Sequence, residues 1–146
     1  MPMSDPTSPR TRAVRAALET DTQFRAVVPP IHLSSTYAFA GFGQKGPYDY
    51  SRSGNPTRDA LAGAIADLEG GAGAVITASG MAAVSLVSQL LRPQDLAVVP
   101  HDCYGGTYRL FNSLRARGSL ELRFVDFGDP AALAAALAAG PKIVWI

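Results

Sequence analysis

The fold class this sequence predicts is α/β: a mostly parallel sheet flanked by helices. Three observations point to it. From residue 55 onward, segments with helical spacing alternate with short apolar runs, which is the order that builds a parallel sheet with helices on its faces. The strand candidates are continuous apolar stretches, as strands covered on both faces are. The helix candidates are bounded by capping residues and glycines.

The elements follow in chain order. "TRAVRAAL" (11–18) has the composition of a short helix. Residues from "VVPPIHLSSTYAF" through "YDYSRSGNP" carry prolines, glycines and aromatics without helical or strand rhythm. A structureless stretch of that length is uncommon inside a compact domain. Its aromatics and aliphatics are also too many for an ordinary disordered tail. An arm that packs on another subunit fits this composition better.

Asn55 can cap a helix with Pro56 at its first position, Leu61, Ile65 and Leu68 recur at helical spacing, and Gly70–Gly71 end the run. "GAVITAS" (73–79) reads as a first strand and "GMAAVSLVSQLL" (80–91) as an apolar helix, followed by a turn at "RPQD". "LAVVP" (96–100) is a second strand. The loop "HDCYGG" leads to a helix carrying Tyr108, Phe111, Leu114 and Arg115, which Gly118 closes. "LELRFVDF" (120–127) is a third strand. Asp129 caps "PAALAAALAA", Gly140 ends it, and "KIVWI" (142–146) is a fourth strand. Such crossovers are nearly always right-handed. A buried final strand calls for a helix after it and a neighbour beside it, so the chain is expected to be the first part of a longer protein.

The bulk properties narrow the class. The 146 residues are 47% hydrophobic with a net charge of +1, which suits a globular protein and gives no electrostatic handle for nucleic acid or an anionic membrane. No apolar run reaches the roughly 18 residues of a membrane span. The opening "MPMSDPTSPRTR" lacks the apolar stretch of a signal peptide, and Asp5 argues against an organelle presequence. Cys103 is the only cysteine, so no intrachain disulfide forms and a reducing, cytoplasmic location is expected.

In a parallel sheet, ligands gather beyond the carboxyl ends of the strands. "TASGM" (77–81), "PHDCYGG" (100–106) and "DFGD" (126–129) would share that edge. Ser79 and Gly80 stand at a helix start, where free N–H groups and the helix dipole suit a phosphate. An ordinary turn with a capping serine is the alternative. "GGAGAV" precedes a strand candidate instead of following one, so it is not a dinucleotide fingerprint. His101, Asp102 and Cys103 invite a metal or nucleophile reading. Neighbours on an extended loop point different ways, however, and no second ligand cluster exists, so no metal is expected. Tyr104 reads either as a ring that stacks on a planar cofactor or as a packing tyrosine. Tyr50 and Arg52, just before a helix, suit a phosphate, or form an exposed turn.

Together, "VVPPIHLSSTYAF", "YDYSRSGNPTRDALAGAIADLEGGAGAVITASGMAAV" and "PHDCYGGTYRLFNSL" resemble the Cys/Met-metabolism family of pyridoxal-phosphate enzymes, of aspartate-aminotransferase-like fold (fold type I). The resemblance runs from about residue 11 onward. It implies pyridoxal 5'-phosphate as cofactor, with Ser79, Gly80 and Met81 at the phosphate and Tyr104 on the pyridine ring. It implies that Tyr50 and Arg52 reach a neighbouring subunit's phosphate, with Tyr50 also shaping the substrate site, and that Arg109 lies near the substrate. Residues 1–55 are then an arm for intersubunit contacts, and 56–146 an incomplete first part of the cofactor-binding domain.

The implied reaction is a γ-replacement on an O-acylhomoserine, O-succinylhomoserine, by cysteine to give cystathionine in methionine biosynthesis. The alternatives are γ-elimination from cystathionine, another chemistry of the same family or, distantly, a noncatalytic phosphate-binding module. The implied partners are small amino-acid substrates and copies of the chain, as a tetramer built from two dimers. Lys45 and Lys142 are the only lysines, and neither matches the family's Schiff-base position. No catalytic residue is therefore assigned, and these 146 residues are expected to be inactive alone.

Overall fold

The computed structural model describes residues 8–146; residues 1–7, on which part of the targeting reading rests, lie outside the described residues. The chain divides into two compact units between Ile76 and Thr77.

Among the described residues the first unit holds two helices. Helix α1 (Pro9–Arg15) begins under Ser8, whose Oγ accepts from the Thr11 amide. It stops earlier than its alanine-rich sequence suggests, because Ala16 leaves the helical region and Ala17 takes a positive φ of 60°. Helix α2 (Pro56–Glu69) follows the sequence reading closely. Asn55 accepts from the Thr57 and Arg58 amides, Pro56 opens the helix, and Gly70 ends it in the left-handed region at φ 65°. Arg12 joins the two helices, its guanidinium 3.2 Å from the Asp67 carboxylate and donating to the Asp67 carbonyl at 2.9 Å. Between them runs the irregular arm, whose Phe24, Val27, Val28, Ile31 and Leu33 side chains are exposed.

The second unit is the sheet. Strands β1 (Leu96–Pro100), β2 (Glu121–Val125) and β3 (Ile143–Val144) are parallel in the order β2-β1-β3. Leu96 pairs with Glu121 and Pro100 with Val125 on one side, and Ala97 with Ile143 on the other. Helices α3 (Gly80–Ser88), α4 (Gly105–Ala116) and α5 (Pro130–Ala138) cover it. The chain moves outward from β1 to β2 through α4 and back past β1 to β3 through α5. Right-handed crossovers in opposite lateral directions must place their helices on opposite faces. The packing agrees. Ala97 and Val99 face a cluster with Val84, Phe111, Leu114, Leu120 and Leu122, whereas Val98 faces Val125 and Ala136. Ala97, Val98 and Val99 are wholly buried. Trp145 packs on the first cluster, its ring 6.1 Å from that of Phe111.

Four expectations are corrected. Residues 73–79 form no strand. Among the described residues nothing pairs with this stretch, and Val75 stays exposed; β-branched composition makes a strand only where a partner lies beside it. The helix from Gly80 ends at Ser88 and not at Leu91, because the amides of residues 89–91 turn to carbonyls three residues back. Burial on both faces holds for β1 alone. Strand β2 alternates, with Glu121 and Arg123 exposed, as its place at the edge of the described sheet dictates. The last run ladders only through Ile143 and Val144, extended by bonds from Lys142 N to the Leu96 carbonyl and from Trp145 N to the Val98 carbonyl, each 2.8 Å. Among the described residues, no helix is long and apolar enough to cross a membrane.

Candidate functional site

Parallel pairing places the loops after β1 and β2 at one edge of the sheet. His101 N donates to the Val125 carbonyl at 2.9 Å, and His101 Nδ1 lies 3.8 Å from Asp126 Oδ1. Asp126 is also turned by the Gly128 amide, which donates to it at 2.8 Å.

The start of α3 comes to the same edge. Ser79 Oγ accepts from Ala82 N at 3.2 Å, and the Ser79 carbonyl accepts from Ala83 N. Thr77 Oγ1 steadies that carbonyl at 2.9 Å. The Gly80 and Met81 amides are left without an acceptor among the described residues. Nothing lies within 4 Å of where a Gly80 side chain would begin, so an anion can approach the backbone there. The Ser79 hydroxyl, accepting from Ala82, keeps its own proton to donate.

Tyr104 joins this place through Gly106. A Cβ on Gly106 would fall 2.5 Å from the Tyr104 ring and 2.8 Å from Met81 Sδ. Only a hydrogen at Gly106 lets the ring and the methionine both lie against the first turn of α4. Gly106 is itself buried, while the Tyr104 ring is 72% exposed: a flat face held from beneath and open above. Sequence reasoning singled out Tyr104 and passed over Gly106; the doubled glycine after the tyrosine was the available signal. Arg109, one turn along α4, folds back so that its guanidinium lies 3.5 Å from the Cβ position of Gly105. Cys103 packs partly buried on the core. Burial, and secondarily the Asp102 carboxylate, push its thiol above the usual value, so it stays protonated near neutrality and is no nucleophile in waiting.

Tyr50 and Arg52 belong to the first unit, where they meet each other: the Arg52 guanidinium stands 5.1 Å over the Tyr50 ring. Their turn is tied to the arm by the Tyr50–Thr36 bridge and by Ser51 N donating to the Ser35 carbonyl at 2.9 Å. Asn55, read from sequence as a cap alone, does more. Its Nδ2 lies within bonding distance of the His32 carbonyl, Tyr37 Oη and Ser51 Oγ, at 3.1, 3.3 and 3.1 Å. One side chain thus ties helix, turn and arm.

The carboxyl edge of the second unit therefore offers unfilled amide donors, a hydroxyl and an open aromatic face. That arrangement can accept a planar ligand bearing a phosphate, on a parallel α/β sheet. Residues 10–146 match the family described as Cys/Met metabolism PLP-dependent enzyme, and the chain belongs to that family. Its sheet is part of the fold type I large domain. It is similar to the cystathionine gamma-synthase of Escherichia coli (strain K12), 59% identical over 137 residues, covering 93% of this chain and 36% of that protein. It is also similar to a cystathionine beta-lyase of Coxiella burnetii, 44% identical over 93% of this chain and 35% of that protein. Among solved structures, cystathionine gamma synthase from Xanthomonas oryzae pv. oryzae, in complex with aminoacrylate and cysteine, superposes with a TM-score of 0.91 at 55% identity, over 96% of this chain and 36% of that one. The chain thus spans little more than a third of the length of these relatives. The family's cofactor, pyridoxal phosphate, fits the residues present: free N–H donors for its phosphate, a ring face for its pyridine.

Proposed function

We propose that this chain forms the cofactor-phosphate and ring-holding part of an enzyme that replaces the γ-substituent of an O-acylhomoserine, O-succinylhomoserine, with cysteine to give cystathionine in methionine biosynthesis. The observation that carries the reading is the meeting of Met81, Gly106 and Tyr104 beneath the open amides of Gly80 and Met81, in a chain so similar to γ-synthases.

In this reading the Gly80 and Met81 amides and the Ser79 hydroxyl hold the phosphate, aided by the positive end of α3. Tyr104 lies on the pyridine ring. Arg109, beside the start of α4, lies near the substrate. Tyr50 and Arg52 serve the phosphate and substrate of a neighbouring copy, and residues 1–55 act as the arm that carries them there. The arm's exposed Phe24, Val27, Val28, Ile31 and Leu33 are the side chains such an interface would cover, within a tetramer of two dimers. Pyridoxal phosphate, when bound, supplies the electron sink that makes the bonds next to the amino group labile. The proposed location is the cytoplasm.

These 146 residues alone are proposed to turn nothing over. Lys45 is ion-paired with Asp49 at 3.1 Å. Lys142 immediately precedes β3, and its amide bonds the first residue of β1, so it sits at the amino edge of the sheet, on the order of 13 Å from the carboxyl edge by strand rise. Turnover by the isolated chain overturns this.

The test of the reaction is a γ-replacement assay on the full-length chain that carries this segment, supplied with O-succinylhomoserine and cysteine. Cystathionine formation supports the reading. Release of α-ketobutyrate from cystathionine, without synthesis, assigns a γ-lyase instead. The similarity to a β-lyase makes pyruvate release from cystathionine the third outcome to measure.

A further inference from the structure

We infer that Arg58 is a positioning residue for Arg52: its guanidinium holds both peptide units that flank Arg52 and so aims that side chain. The inference rests on the reading above, in which Arg52 takes the cofactor phosphate.

The turn that carries Arg52 is anchored at both ends and would be loose in the middle. At its start Tyr37 N donates to the Asp49 carbonyl at 2.9 Å, and Ser51 N to the Ser35 carbonyl. The Tyr50 carbonyl accepts from Ser53 N at 3.0 Å and from Gly54 N at 3.1 Å, closing the turn. At its end Asn55 is fixed to α2. The carbonyls of Ser51 and Arg52 receive no backbone donor in this turn. Arg58 supplies both. Its Nη1 donates to the Ser51 carbonyl at 2.8 Å and its Nη2 to the Arg52 carbonyl at 3.4 Å.

These two carbonyls belong to the peptide planes immediately before and after the Arg52 Cα. Each plane is rigid, so pinning both sets φ and ψ of Arg52 and the direction of its Cβ. The planar guanidinium fork suits such a two-point clamp, which an ammonium cannot reproduce. The Arg52 side chain is left exposed beyond the turn, its guanidinium over the Tyr50 ring.

Helix stability does not account for Arg58. It lies in the first turn of α2, where a cation opposes the helix dipole. Among the described residues its guanidinium has no carboxylate within 4.0 Å. Its donors go to the turn, and the capped start of α2 is the rigid base from which they act.

The experiment titrates the cofactor-free, full-length chain that carries this segment with pyridoxal phosphate and, separately, with pyridoxal, which lacks the phosphate. Arg58→Met, Arg58→Lys, Arg52→Ala and the double variant Arg52→Ala/Arg58→Met are compared with the parent. Arg58→Met is expected to weaken pyridoxal phosphate binding roughly tenfold, the size of one misplaced charged hydrogen bond, with pyridoxal unchanged within about twofold. Arg58→Lys, charged but without the fork, is expected to lose as much, which keeps the test decisive if the methionine variant fails to fold. The double variant is expected to be no worse than Arg52→Ala, because both changes remove one interaction. Equal losses for both ligands, additive losses in the double variant, or full affinity in Arg58→Lys would each overturn the inference. If Arg52→Ala itself leaves the ratio of the two affinities unchanged, the assignment of Arg52 to the phosphate fails, and the inference falls with it.

Discussion

The most informative single change at the sheet's ligand edge is Gly106→Ala. The new methyl would stand 2.5 Å from Tyr104 Cε1, 3.1 Å from Tyr104 Cδ1 and 2.8 Å from Met81 Sδ, against roughly 3.5–4.0 Å for comfortable carbon contacts. Two free-energy terms compete. Alanine in place of glycine in a helix gains roughly 0.5–1 kcal/mol, while overpacking costs roughly 1–3 kcal/mol when the neighbours stay put. Burial decides which neighbour yields. Met81 packs against the core cluster, but Tyr104 is largely exposed, so its ring can swing away while losing little buried area. That relieves the contact with Tyr104 but not the 2.8 Å contact with Met81 Sδ, which must shift slightly within the core, so a net stability loss of about 1–2 kcal/mol is expected. The cost falls on the site. In the proposed role on the cofactor ring, a displaced Tyr104 would forfeit a stacking contact of about 0.5–1.5 kcal/mol, so cofactor affinity should drop about two- to tenfold. Urea unfolding and cofactor titration of the full-length chain measure the two effects separately. An undiminished affinity, or a stability loss of about 3 kcal/mol or more, would refute the reasoning that the ring is the part that moves.

Other outcomes follow from the same geometry. Asn55→Ala removes the α2 cap and the donor to the arm, and should destabilise the first unit by about 2–3 kcal/mol; Asn55→Asp keeps the cap and should lose less, with hydrogen exchange at residues 32–37 reporting the difference. Phe111→Ala empties the wholly buried centre of the larger core cluster and should cost roughly 3–5 kcal/mol in urea unfolding. Acid should loosen the arm. Asp21 is held below the usual 3.8 by the Phe24 and Ala26 amides, and Asp49 by bonding to Lys45 and then Ser53. Folded values below unfolded ones mean that the stabilisation is present above 3.8 and is lost as pH falls below it through the folded values. Amide exchange at residues 21–26 and 45–53 should therefore rise selectively below pH 3.8, and a flat profile there would contradict the assignment.

Legibility differed from place to place for physical reasons. The helix from Pro56 to Glu69 was plain because its signals are local: a capping asparagine, a proline at the first position and a glycine at the left-handed end. The stretch 73–79 has the composition of a strand yet is none, since a strand exists by pairing and its own residues cannot state whether an edge is free. At the site, Tyr104 and the Ser79–Met81 segment stood out as residue types at a strand-to-helix junction. The contact that joins them, through the missing side chain of Gly106, spans some two dozen residues of chain and leaves no mark in either segment. Asn55 was visible as a cap, but its donor to His32, Tyr37 and Ser51 was not, for the same reason.

By itself, then, the sequence determined what short-range free energies determine: where the capped helices start, which runs are apolar enough to be buried, and the motifs that mark the family. Tertiary structure decided which apolar runs pair, on which face of β1 each helix lies, and which amides remain without acceptors at the start of α3. Caps and periodicity act over a few residues, within reach of a reading along the chain. Pairing, burial and unfilled donors are set by neighbours far off in sequence, and only the folded chain brings those neighbours together.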